Sequence, residues 1–79
     1  MRFMLEEGTV EIKKGTVKGF NASTYEATVQ VAGSLALWLE GVPTAWNIPS
    51  EEMVNGRSCA LLLFDPSNPR DIVVIAVWG

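Results

Sequence analysis

Apolar and polar residues alternate along the first third of the chain, the period of a half-buried strand. Thr9 to Phe20 reads as a first strand, with Val10 and Ile12 set between Thr9, Glu11 and Lys13. Gly15 breaks the phase and Val17 resumes it. Gly15, and Gly19 after it, are therefore candidate bends or bulges of the kind that curl a sheet into a barrel. Asn21 to Thr24 reads as a turn. Tyr25 to Ala32 predicts a second strand, with Tyr25, Ala27, Val29 and Val31 on one face and Glu26, Thr28 and Gln30 on the other. Gly33-Ser34 is a tight connection. Leu35 to Glu40 predicts a third strand with Leu35, Leu37 and Leu39 opposite Ala36 and Trp38, because the interval between Gly33 and Gly41 is too short for a stable helix. Gly41 is expected to turn the chain. Val42 to Trp46 is a short strand candidate that Pro43 restricts to an edge or a strand start.

The one helical signal is Pro49 to Gly56. Ser50 is a candidate cap, Glu51 and Glu52 suit the positive end of a helix, Gly56 can end it, and Met53 and Val54 are expected to point inward. Ser58 to Asp65 and Asp71 to Trp78 predict the fourth and fifth strands, joined by the turn-forming loop Asp65 to Pro69. Both strands are apolar almost throughout, where a strand on the outside of a lone barrel should be polar at alternate positions. A second layer must cover them, and only residues 1–8 and 42–56 remain to supply one within the chain. Contact with another chain is the favoured reading. The expected fold is all-β: a small five-stranded OB-like antiparallel barrel with one short helical turn between strands 3 and 4. Residues 1–8 form an N-terminal arm and 9–79 a single β-barrel domain.

Composition sharpens the same picture. The 79 residues are 48% hydrophobic and 19% charged, against about 25% charged in an average domain. A domain of this size buries only about 60% of its unfolded surface and usually needs an additional source of stability. Cys59 has no disulfide partner and histidine is absent, so a disulfide or an ordinary zinc site is not available. Self-assembly is the source that remains. The net charge of −3 and pI of about 4.7 argue against a nucleic-acid partner. Lys13, Lys14 and Lys18 sit among Glu6, Glu7 and Glu11 and read as a mixed, solvated surface. No stretch resembles a signal peptide or a membrane span. Cys59 suits a reducing compartment, and Met1 is a mild sign of a complete chain, against the alternative of a subdomain of a larger protein.

Catalytic chemistry is hard to assemble from these residues. Without histidine the usual neutral-pH base is missing. Ser23, Ser34, Ser50, Ser58 and Ser67 lie in turns or at strand edges, and Cys59 opens an apolar strand, where packing is the expected role. Asp65 and Asp71 read as turn residues, Glu51 and Glu52 as a helix start, and Gly15, Gly19 and Gly33 lack the spacing of a phosphate loop. No catalytic, cofactor-binding or metal residue is expected, and no small-molecule substrate. Trp38, Trp46 and Trp78 have two readings beyond core packing: stacking on bases, or anchoring a protein interface. The acidic balance favours the second.

One pattern of strands and turns is familiar. Gly15-Thr-Val17, Trp38-Leu39, Val42-Pro43 and Ile48-Pro49 are followed by Gly56-Arg-Ser-Cys-Ala-Leu-Leu-Leu-Phe64, Asp65, Asn68-Pro69 and Ile72-Val-Val-Ile75. Over residues 15 to 79 this resembles the OB-fold domains of phage baseplate hub and tail spike proteins. The resemblance implies a non-enzymatic structural protein of a virion, assembled in the host cytoplasm. It would serve as a tail or baseplate hub component or a capsid decoration protein, and would contact copies of itself and other virion proteins. The 79 residues are expected to hold the barrel alone, without a spike or lysozyme domain among them, which departs from the family. The expected contact residues are Leu62, Phe64, Val74, Ala76 and Trp78, with Trp38 and Trp46 as second candidates. The competing expectation, from the fold and the aromatic residues, is a single-stranded nucleic-acid-binding module.

Overall fold

The computed structural model describes residues 10–33, 37–65, 67–68 and 70–79. The N-terminal arm, residues 1–8, lies outside them, as do Thr9, Ser34, Leu35, Ala36, Pro66 and Pro69. Five strands, β1 (Glu11–Asn21), β2 (Glu26–Val31), β3 (Trp38–Pro43), β4 (Ser58–Leu63) and β5 (Ile72–Trp78), form one antiparallel sheet in the order β3-β2-β1-β4-β5. A single 3-10 turn, Ser50–Glu52, lies between β3 and β4. The all-β class, the strand number and the place of the helical turn are as the sequence implies.

The sheet is not closed into a barrel. Its edges meet at one isolated parallel bridge, Thr44 with Val74, where the Ala45 N–H donates to the Val74 carbonyl at 2.9 Å. Elsewhere a cleft of about 460 Å³ separates Leu39, Glu40, Gly41, Val42 and Pro43 from Arg70 and Ile72. The end of β3 explains the gap. Gly41 has φ 67, the register with β2 shifts between Ala27 and Val29, and Pro43 has no N–H to donate to a ladder. Gly41 thus bends β3 from within, where it was expected to terminate it, and Val42 and Pro43 complete the strand.

β1 is the hinge of the curl. It pairs with β4 through Glu11 to Thr16 and with β2 through Gly15 to Asn21, so Gly15 and Thr16 pair on both sides. A Cβ on Gly15 would stand 3.0 Å from the Gln30 carbonyl oxygen and 3.3 Å from both Cys59 Sγ and Leu61 Cδ1. The register with β2 shifts between Val17 and Gly19, a bulge at the second expected bend.

The core is aliphatic. Val17, Val29, Cys59, Leu61 and Val74 are fully enclosed, and Ala27, Val31, Val42, Leu63 and Ile72 surround them. Ile48 and Met53, from the connection between β3 and β4, are also buried. Backbone bonds tie this connection to β1: Gly56 N–H to the Val17 carbonyl at 2.7 Å, and Val17 N–H to the Arg57 carbonyl at 2.8 Å. Val54, expected inside, is exposed, because the turn ends at Glu52 and does not complete a helical face. Ser50 does not cap it; Pro49 occupies that position with no side-chain bond.

Tyr25 precedes β2 and has φ 58, the left-handed region, which costs a bulky residue about 1–2 kcal/mol. Two contacts hold it there. Its hydroxyl donates to the Ile48 carbonyl, and its ring meets Phe20 edge-on with centroids 5.0 Å apart.

Candidate functional site

Strand pairing fixes which side chains share a face, since residues opposite one another in a ladder point the same way. Cys59, Leu61 and Leu63 of β4 point into the core, so Ala60 and Leu62 point out, and continued alternation adds Phe64. On β1 the residues that share the core side are Glu11, Lys13, Gly15 and Val17, while Ile12 and Lys14 point out. The apolar phase of β1 therefore reverses at Gly15: Val17 faces the core, but Val10 and Ile12 fall on the outer side, 46% and 65% exposed.

Across β1, β4 and β5 the outer side is built of rows. Ile12 lies opposite Leu62, which lies opposite Val73; Lys14 lies opposite Ala60, which lies opposite Ala76. Phe64, 49% exposed, extends β4 beside Asp71, its N–H bonding the Asp71 carbonyl at 3.0 Å. The outer side of β2 is by contrast polar: Glu26, Thr28 and Gln30. The outer apolar rows thus run across β1, β4 and β5 and stop at β2.

Leu62, Phe64 and Ala76, singled out in the sequence, come together on this face. Val74 does not; it is enclosed in the core. The register between β4 and β5 shifts so that Ala60 pairs with Ala76 and Leu61 with Val74. Ile75 has no opposite partner, and this bulge switches the phase of β5 between Val74 and Ala76. Val73 takes the outward place that Val74 was expected to hold.

Trp78 joins the same outer side at the end of β5, one row beyond Ala76, whereas Trp38 and Trp46 stand apart from it. Trp38 and Trp78 occupy the two ends of one outer row, Trp38–Gln30–Thr16–Ser58–Trp78, and so lie on opposite edges of the sheet. Both are about half exposed. Lys18 Nζ lies 5.5 Å from the Trp38 ring centroid, a cation–π distance. Trp46, 89% exposed, lines a shallow cleft with Ala22, Ser23, Thr24 and Tyr25, at the far end of β1 from Ile12.

The other singled-out side chains have structural places. The Cys59 thiol is enclosed, and burial pushes its pKa up, opposed by a smaller effect of the Gly15 backbone hydrogen bond. Asp65 accepts from the Ser67 N–H and hydroxyl at 3.1 and 2.7 Å, an Asx turn. Glu52 pairs with Arg57, holding the turn to the start of β4. Among the described residues, no helix is long and apolar enough to cross a membrane. No family model matches the chain, and neither the curated proteins nor the solved structures contain a match to it.

Proposed function

We propose that the chain is a non-enzymatic structural protein that assembles with copies of itself, and that it belongs to a phage or phage-like virion as a tail, baseplate-hub or capsid-decoration component. The observation that supports assembly is the outer face of β1, β4 and β5. It carries Ile12, Leu62, Phe64 and Val73 where the neighbouring β2 carries only polar residues. Leaving that apolar area in water is unfavourable by about 25 cal/mol per Å², and a contacting chain removes the cost. The virion setting rests on the likeness of residues 15 to 79 to phage hub and spike domains.

Light scattering of the purified chain, followed by electron microscopy of the same sample, tests this. A concentration-dependent rise in mass, to dimers or to larger assemblies visible in the images, agrees with it. A monomer at every concentration contradicts it. The Lys18–Trp38 contact favours a second reading, single-stranded nucleic-acid binding. A titration with short oligonucleotides at low salt decides that reading, because such binding weakens steeply as salt rises.

A further inference from the structure

We propose that the apolar outer face is complementary to itself. A second copy of this chain packs on it about a two-fold axis that sets Lys14 of each copy against Asp71 of the other. The inference rests on the self-assembly reading above and adds the partner's orientation.

The row arrangement carries the argument. Lys14 stands at the β1 end of the row containing Ala60 and Ala76. Asp71 stands at the β5 end of the row containing Phe64. Between these rows runs the apolar row Ile12–Leu62–Val73. Strand geometry puts the two charged positions at diagonal corners, about 13 Å apart along the strands and about 10 Å apart across them. Both residues are exposed. Neither forms an ion pair among the described residues, where Arg57 pairs with Glu52.

A two-fold interface brings the same patch of both copies together, so each contact occurs twice. An axis lying between the two faces, perpendicular to the Lys14–Asp71 diagonal, exchanges the corners. Positive then meets negative at both ends, and Leu62 lies near the axis. In that arrangement the strands of the two copies cross at about 70°, close to the orthogonal class of sheet packing. A partner carrying one sign of charge would be attracted at one corner and repelled at the other. A second copy satisfies both.

The size of the face sets the strength. Three strands by four rows cover on the order of 300 Å² per copy, below the roughly 800 Å² per partner of standard stable interfaces. The dimer is therefore weak, with a dissociation constant of about 1 μM or higher.

Sedimentation equilibrium of the full chain and of four variants, the two single charge reversals, their double and Leu62→Asp, tests the orientation. Lys14→Asp and Asp71→Lys each place like charges together twice and should weaken association roughly tenfold. The double variant Lys14→Asp/Asp71→Lys restores opposite charges and should return to within about threefold of the parent. The parent should also weaken as ionic strength rises through about 0.1 M. Both positions are exposed, and circular dichroism of each variant verifies that it is folded. If Leu62→Asp abolishes association while the single reversals leave it unchanged, or the double variant is no better than the singles, the two-fold arrangement is wrong and self-assembly through the face stands. If the parent does not associate up to about 1 mM, both readings fall together.

Discussion

Gly15 offers the sharpest test of how the sheet is folded. It is paired on both sides, and a methyl group there would meet the Gln30 carbonyl oxygen at 3.0 Å and two core side chains at 3.3 Å. The oxygen belongs to the backbone of a paired strand and cannot turn away as a side-chain tip could. Gly15→Ala therefore overpacks the centre of the molecule, at a cost of about 1–3 kcal/mol. A chain of this size has a total stability of roughly 4–12 kcal/mol, so the loss is a large fraction. It lowers Tm by about 4–8 °C for each kcal/mol. Gly19→Ala is the internal control. Its nearest contact is Thr28 Cβ at 3.9 Å, an ordinary distance, and the reduced freedom of the unfolded chain offsets small strain. It should fall within about 0.5 kcal/mol of the parent. Urea unfolding followed by circular dichroism, at a concentration too low for association, measures both. Equal effects for the two substitutions, or a stable Gly15→Ala protein, would refute the double pairing of β1 at this position.

Three further outcomes follow from single side chains. The Thr44 hydroxyl is buried with no hydrogen-bond partner among the described residues, so Thr44→Val should stabilise the fold by about 1 kcal/mol in the same unfolding assay; destabilisation would show that the hydroxyl is satisfied. Tyr25→Phe removes the donor to the Ile48 carbonyl and should cost about 1 kcal/mol, a loss visible as a lower urea midpoint. Burial raises the Cys59 pKa in the folded state. The stability this contributes is complete below the thiol's ordinary value of 9.0 and is lost as pH rises through the folded value. The parent should therefore lose stability above that pH more steeply than Cys59→Ala, and parallel pH profiles would contradict the assignment.

Much of this architecture was legible in the chain. The alternation of Ala27, Val29 and Val31 with Thr28 and Gln30 marked β2 and its buried side. The broken phase at Gly15 recorded a real event, the transfer of apolar side chains from the outer side (Val10, Ile12) to the core side (Val17). The position of the bulge in β5 was not legible. Residues 72 to 77 are apolar on both faces, so the sequence carries no parity, and only the pairing with β4 shows that Ile75 is the extra residue. Val74 was assigned outward for that reason, and Val73 was missed. Ile12 was missed because its outward direction depends on the pairing of Lys13 with Leu61, a long-range contact. Closure failed for a similar reason. Whether the edges of a curled sheet meet depends on the bends at Gly41 and Pro43, which local pattern reads only as a turn.

The central claim is that this chain associates through one face of its sheet, and a concentration series of two-dimensional NMR spectra tests it most directly. Between about 10 μM and 1 mM, the signals of Ile12, Leu62, Val73 and Ala76 should shift progressively, while those of Val17 and Val29 in the core and Thr24 beside Trp46 stay fixed. Shifts confined to Trp46 and its neighbours, or spectra that do not change with concentration, would contradict the account.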